Sequence, residues 1–155
     1  MKQQRGIVGA IVQAIGLCVG TSMAASVGAQ PGVSCTGATH CVDVTIVGGA
    51  IQSVPAVVVA AKNHQIYWRI QTAGYSFPPP PPSPTGIAFK PASSINDNGH
   101  MPANEFPCNR MSATLFHCND ANSTHDKGVR SYQYSITVID ASGHRIVSDP
   151  WIVNR

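Results

Sequence analysis

The sequence predicts an all-β protein: an antiparallel two-sheet sandwich of about six or seven strands, preceded by a cleavable signal peptide. Three observations predict it. Val42, Val44 and Ile46, then Ile66, Trp68 and Ile70, then Tyr132, Tyr134, Ile136 and Val138 recur at every second position, the period of a half-buried strand. Turn signals rich in Gly, Asn and Ser separate these runs, and no stretch after residue 29 carries a helical period.

Residues 1–29 have the layout of a secretory leader. Lys2 and Arg5 precede an apolar stretch from Ile7 to Val19, and Val27-Gly28-Ala29 forms an A-x-A-like cleavage site. Gly9, Gln13, Gly16, Gly20 and Thr21 interrupt the apolar run, which argues against a retained anchor. Cys18 lies inside the run after Leu17, the wrong context for a lipid-acceptor cysteine, and leaves with the signal. The expected mature chain, 30–155, has the size of one domain, and its address is secreted or periplasmic. Without Lys2 and Arg5 it holds eight Lys plus Arg against seven Asp plus Glu and no basic run, so no nucleic acid is expected as partner, and no membrane after signal cleavage.

Four cysteines remain: Cys35, Cys41, Cys108 and Cys118. An even set in an oxidising compartment reads as two disulfides, and of the three possible connectivities the local one is expected, Cys35 with Cys41 and Cys108 with Cys118. Each bridge would contribute about 2 to 3 kcal/mol through loop-closure entropy.

The elements follow in order. Val42 to Ile46 alternates and ends at Gly48-Gly49; Val54 to Ala61 is a continuous apolar run, expected as a strand buried on both faces. His64 to Gln71 alternates with Trp68 on the core face and Tyr67 and Arg69 opposite. Residues 78–84 are six prolines and a serine, a stiff polyproline II spacer of roughly 20 Å that offers a secondary reading as a docking rod. Short strands are expected near Gly86 to Lys90 and Met111 to Phe116, with a long loop at 91–109 between them. Ser131 to Ile139 is the most regular strand, and Ala141-Ser142-Gly143 turns it into a final antiparallel strand, His144 to Val153, interrupted by an edge or bulge at Asp149-Pro150.

The usual catalytic signatures are missing. The sequence contains neither G-x-S-x-G nor H-E-x-x-H, and no phosphate-cradling glycine loop. Glu105 is its only glutamate, and its six aspartates are expected as solvated residues at turns and strand ends, so no carboxylate pair for glycoside hydrolysis is anticipated. The dense polar run from His117 to Asp126 reads as a hairpin loop tied off at Cys118. Its alternative is a metal site in which His117 and His125, helped by Asp120 or Asp126, hold zinc or copper. Asp120, Asn122 and Thr124 also match a calcium loop in part, but His125 stands where glycine is needed and Ser131 where glutamate is needed. Cys118 lacks the trailing histidine and methionine of blue copper, and Asn122-Ser123-Thr124 fits a glycosylation acceptor. No cofactor and no catalytic residue are expected.

Ile66-Tyr67-Trp68-Arg69-Ile70, Gly86-Ile87-Ala88-Phe89, Cys118-Asn119-Asp120-Ala121-Asn122, the strand Tyr132 to Val138 and the ending Asp149-Pro150-Trp151-Ile152-Val153-Asn154 resemble a group of small exported bacterial β-sandwich proteins, immunoglobulin-like or cupredoxin-like, of uncharacterised function. The resemblance spans roughly His40 to Arg155 and implies a fold and an address. The expected role is a non-catalytic binding or structural module for another exported protein or an envelope component, using the sheet face that bears Tyr67 and Arg69. A hydrolase with an unrecognised site is the third reading.

Overall fold

The computed structural model describes residues 35–52, 54, 56–80, 85–90, 101–123, 126 and 128–155. The expected signal segment 1–29, residues 81–84 of the proline-rich stretch and residues 91–100 of the expected long loop lie outside the described residues. Among those described, the chain is essentially all strand and connection, with no α-helix.

A four-stranded sheet runs in the order β1 (His40–Val44), β5 (His64–Ile70), β9 (Leu115–Asp120), β8 (Cys108–Arg110). The second sheet is built around β10 (Arg130–Asp140), the longest strand at 11 residues. On one side β10 pairs β11 (Arg145–Ser148) and β12 (Trp151–Asn154), with β4 (Val57–Val59) beyond β12; β6 (Tyr75–Ser76) and β7 (Ile87–Phe89) also pair β10. The two sides are set by its backbone: Tyr134 N donates to Pro150 O at 3.1 Å, while Thr137 N donates the other way to Gly86 O at 2.7 Å. A separate ribbon joins β2 (Ile46–Val47) to β3 (Ala50–Ile51). Gly48 and Gly49 make its two-residue turn at φ 59° and 79°, the left-handed pair that such a hairpin requires.

Alternation decides the core as expected. Ile66 and Trp68 on β5 and Tyr132, Tyr134, Ile136 and Val138 on β10 are all completely buried. One hydrophobic cluster draws on both sheets, including Val42, Val44, Trp68 and Phe116 from the first and Val59, Ile87, Tyr134 and Ile152 from the second. Two layers over one shared interior are consistent with a sandwich. Full burial of each large side chain contributes on the order of 1.5–3 kcal/mol. Gly86 is required at the seam, because a Cβ there would stand 2.7 Å from Phe77 Cδ1.

Several expectations need correction. Twelve short strands are present among the described residues, not six or seven, because bends and prolines divide runs that read as single strands. The pairing is not wholly antiparallel: β1 runs parallel to β5, and β4 parallel to β12. Parallel neighbours need a long connection, and the chain supplies one by crossing to the other sheet as β4 before returning as β5. The run 54–61 forms only three strand residues, and Val58 is 40 % exposed, because β4 is the edge of its sheet with one face open. The second weak strand begins at Leu115, not Met111; residues 111–114 are the β8–β9 turn, where Met111 N and Ser112 N both donate to Leu115 O. The long loop ends at residue 107, since Cys108 already pairs with Cys118 in β8. Asp149-Pro150 interrupts the last strand without a bulge: Ile136 opposite Ser148 and Gln133 opposite Trp151 keep one register across it. Proline withholds an N–H but inserts no extra residue.

Both expected cysteine pairs are within bonding distance. Cys35 and Cys41 are joined at S–S 2.05 Å, and Cys108 and Cys118 at 2.00 Å. The second bridges register partners of the β8–β9 hairpin.

Candidate functional site

The outward face of the four-stranded sheet gathers Tyr67, Arg69 and His117 from the side chains singled out above. On β5 the residues between the core positions are Gln65, Tyr67 and Arg69. Register sets Cys41 and His117 on either side of Tyr67, and Asn109 beyond His117, so one row crosses all four strands. The Tyr67 and His117 rings lie 4.7 Å apart at 44°.

Amide side chains frame this ring pair. Gln65 Nε2 donates to Asn119 Oδ1 at 2.8 Å, Gln65 Oε1 meets His117 Nε2, and His117 Nδ1 lies 3.0 Å from Asn109 Oδ1. Partial burial holds the His117 pKa below its ordinary value.

The charges on this face cancel. Arg69 Nη2 and Nε each lie 2.9 Å from Asp43 Oδ1, which also accepts from Gln71 Nε2 at 2.8 Å. With Asp43 half exposed the pair contributes at most about 1 kcal/mol to stability, but it leaves the platform electroneutral. A neutral, donor- and acceptor-rich surface around an aromatic pair has the chemistry of a binding face.

A second polar group is hidden at one end of the core. Glu105 and Asp120 are completely buried, as are Asn122 and, to within 1 %, Asn154. Asp120 was expected as a solvated turn residue and Glu105 as part of the long surface loop; instead Asp120 ends β9 on its inward face, and Glu105 is folded under by the segment before β8. Phe106, the next residue, stacks on Phe89 at 3.8 Å and helps to hold that segment down. Glu105 accepts from Ser123 Oγ at 2.6 Å and from Asn154 Nδ2 at 3.3 Å. Asp120 Oδ1 accepts from Asn122 N at 2.9 Å and from Asn154 Nδ2 at 3.0 Å. Burial pushes the Asp120 pKa up to about 7; the two hydrogen bonds oppose the shift and the nearby Glu105 charge adds to it.

Of the metal reading's residues, the described ones do not come together. His117 and Asp120 belong to one strand three positions apart and therefore face opposite sides of the sheet, so they cannot share an ion. Asp126 is exposed and lies 3.7 Å from Lys62, and His125 lies outside the described residues. No group of three or more His, Cys, Asp or Glu side chains suited to a metal ion occurs among the described residues. His40 and His64 do meet, at 3.1 Å; burial, then the His64 charge, lowers the His40 pKa. The polar hairpin loop expected from His117 onward is strand as far as Asp120, because Cys118 and Asp120 alternate inward with His117 and Asn119 outward. That alternation was readable, and would have separated His117 from Asp120; Glu105, Asn122 and Asn154 carried no comparable signal.

Comparison with family models, with curated proteins and with solved structures gives no match.

Proposed function

We propose that this chain is an exported, non-catalytic binding module: a β-sandwich, released from its signal peptide into the periplasm or outside the cell, that holds a partner on the outer face of its four-stranded sheet. The single observation that carries this reading is the Tyr67–His117 ring pair set in an amide frame on an otherwise charge-neutral sheet face. Cross-strand hydrogen bonds already order these side chains, so less rotamer entropy is lost when a partner docks. Neutrality disfavours a nucleic acid or an anionic membrane surface and fits another exported protein or an uncharged envelope component. The two disulfide pairs support an oxidising compartment.

The test is capture from envelope extract with the processed protein, beside a variant carrying Tyr67→Ala and His117→Ala. A partner held by the native protein and lost by the variant, with the far-UV spectrum unchanged, is the expected result. A partner retained in full by the variant would remove this face from consideration. Mass measurement of the exported form, expected to begin at Gln30, tests the address separately.

A further inference from the structure

The buried group around Asp120 holds several side-chain oxygens that no donor reaches. Asp120 Oδ2, Asn122 Oδ1 and Asn154 Oδ1 are buried side-chain oxygens that accept no hydrogen bond. The amide hydrogens at hand are already committed: Asn154 Nδ2 bridges Glu105 Oε1 and Asp120 Oδ1, and Asn122 Nδ2 donates to Arg155 O at 3.2 Å. Because the Asn154 amide is wedged between the two carboxylates, its own unpartnered oxygen also lies in the cluster. Leaving a buried oxygen without a donor is costly, and a native interior tolerates such groups where an ion or water completes them.

We propose that Glu105, Asp120, Asn122 and Asn154 form a calcium site. The unpartnered atoms of these four residues, on Asp120, Asn122 and Asn154, are hard oxygens, and two of the four residues are carboxylates; that donor set matches calcium and not zinc or copper. The Asp120-Ala121-Asn122 spacing supplies the first two alternate ligands of a calcium loop, and the remaining oxygens come from other segments, Glu105 before β8 and Asn154 on β12. An ion here would bind β9 of one sheet to β12 of the other. Two carboxylates with neutral amides make a site of modest affinity, with a Kd on the order of 10⁻⁴ to 10⁻³ M, in the range of extracellular modules.

The experiment is thermal unfolding of the full exported chain after dialysis against chelator, titrated with calcium chloride and, at equal ionic strength, magnesium chloride. At 10 mM calcium a rise in Tm of about 5 °C or more is expected, with little from magnesium. Asp120→Asn and Glu105→Gln keep the side-chain shapes and are expected to lose at least tenfold in apparent calcium affinity. Isothermal titration gives the same affinities independently of unfolding. Arg130, buried on β10 and opposite Asn154 in register, is the rival neutraliser. If it compensates the carboxylates, calcium leaves Tm unchanged and the proposal falls. It also falls if magnesium matches calcium, or if both variants respond to calcium as the native protein does.

Discussion

Trp68 of the first sheet donates its indole N–H to the phenolic oxygen of Tyr134 in the second at 3.1 Å, with the two rings edge to face at 5.4 Å. Both side chains are completely buried, so the bond is a polar tie inside an apolar interior.

Tyr134→Phe removes the acceptor and strands the indole N–H, a cost of about 1–3 kcal/mol. Trp68→Ala leaves a cavity as well and is expected to cost about 3–5 kcal/mol. Chemical denaturation of the two variants checks the order. Burial pushes the Tyr134 pKa up to about 12, so in spectrophotometric titration this tyrosine is expected to ionise above the ordinary tyrosine range.

Stability of the calcium-free protein is expected to fall as pH rises from about 4 to about 7. The folded pKa of Asp120, about 7, stands above its unfolded value, so the native state binds the extra proton across that window and loses the advantage as pH climbs. At about 1.4 kcal/mol per unit, the effect amounts to a few kcal/mol. His40 and His117 act in the opposite sense: their lowered pKa values make the native state lose stability as pH drops below 6.5. Unfolding in chelator across pH 4 to 8, compared with Asp120→Asn, isolates the aspartate. Identical pH profiles would show that Asp120 does not titrate in this range.

The oxidised protein is expected to show no free thiol, and Cys108→Ser with Cys118→Ser to cost about 2–5 kcal/mol. Cys118 is completely buried beside the core, so this pair should matter more than Cys35–Cys41, whose Cys41 is exposed. Thiol titration before and after unfolding, and the midpoints of the two double variants, check both statements.

Gly86→Ala is expected to destabilise by about 1–3 kcal/mol, because the new methyl meets Phe77 Cδ1 at 2.7 Å while Phe77 itself is fully buried. Combining it with Phe77→Leu should cost less than the sum of the two changes. Strict additivity would mean that the clash is relieved elsewhere.

The readable part of the fold was its alternation. Ile66-Tyr67-Trp68-Arg69-Ile70 and Tyr132 to Val138 assign every side chain to a face without knowledge of the partner strands, and they placed Trp68 inside and Tyr67 outside as found. The outer-face site was legible to that extent. Its amide frame was not, since Gln65 and His117 are 52 residues apart and meet only through the β5–β9 register. The proline at 150 was readable as an interruption, but not whether register would slip there.

The chain's own order of residues determined that it would be strands over an oily interior, that turns would fall at Gly48-Gly49 and at 141–143, and which cysteines lay near enough in sequence to close short loops. Those properties are local: a period of two, a glycine at positive φ and a short span between sulfurs act within a few residues. Only the tertiary structure decided that β1 and β4 pair in parallel and that Glu105, Asp120, Asn122 and Asn154 come from three segments into one buried group. Carboxylates and amides look solvent-bound in any linear reading, and it is the closing of one sheet over the other, driven by the apolar neighbours of these residues, that takes them out of water.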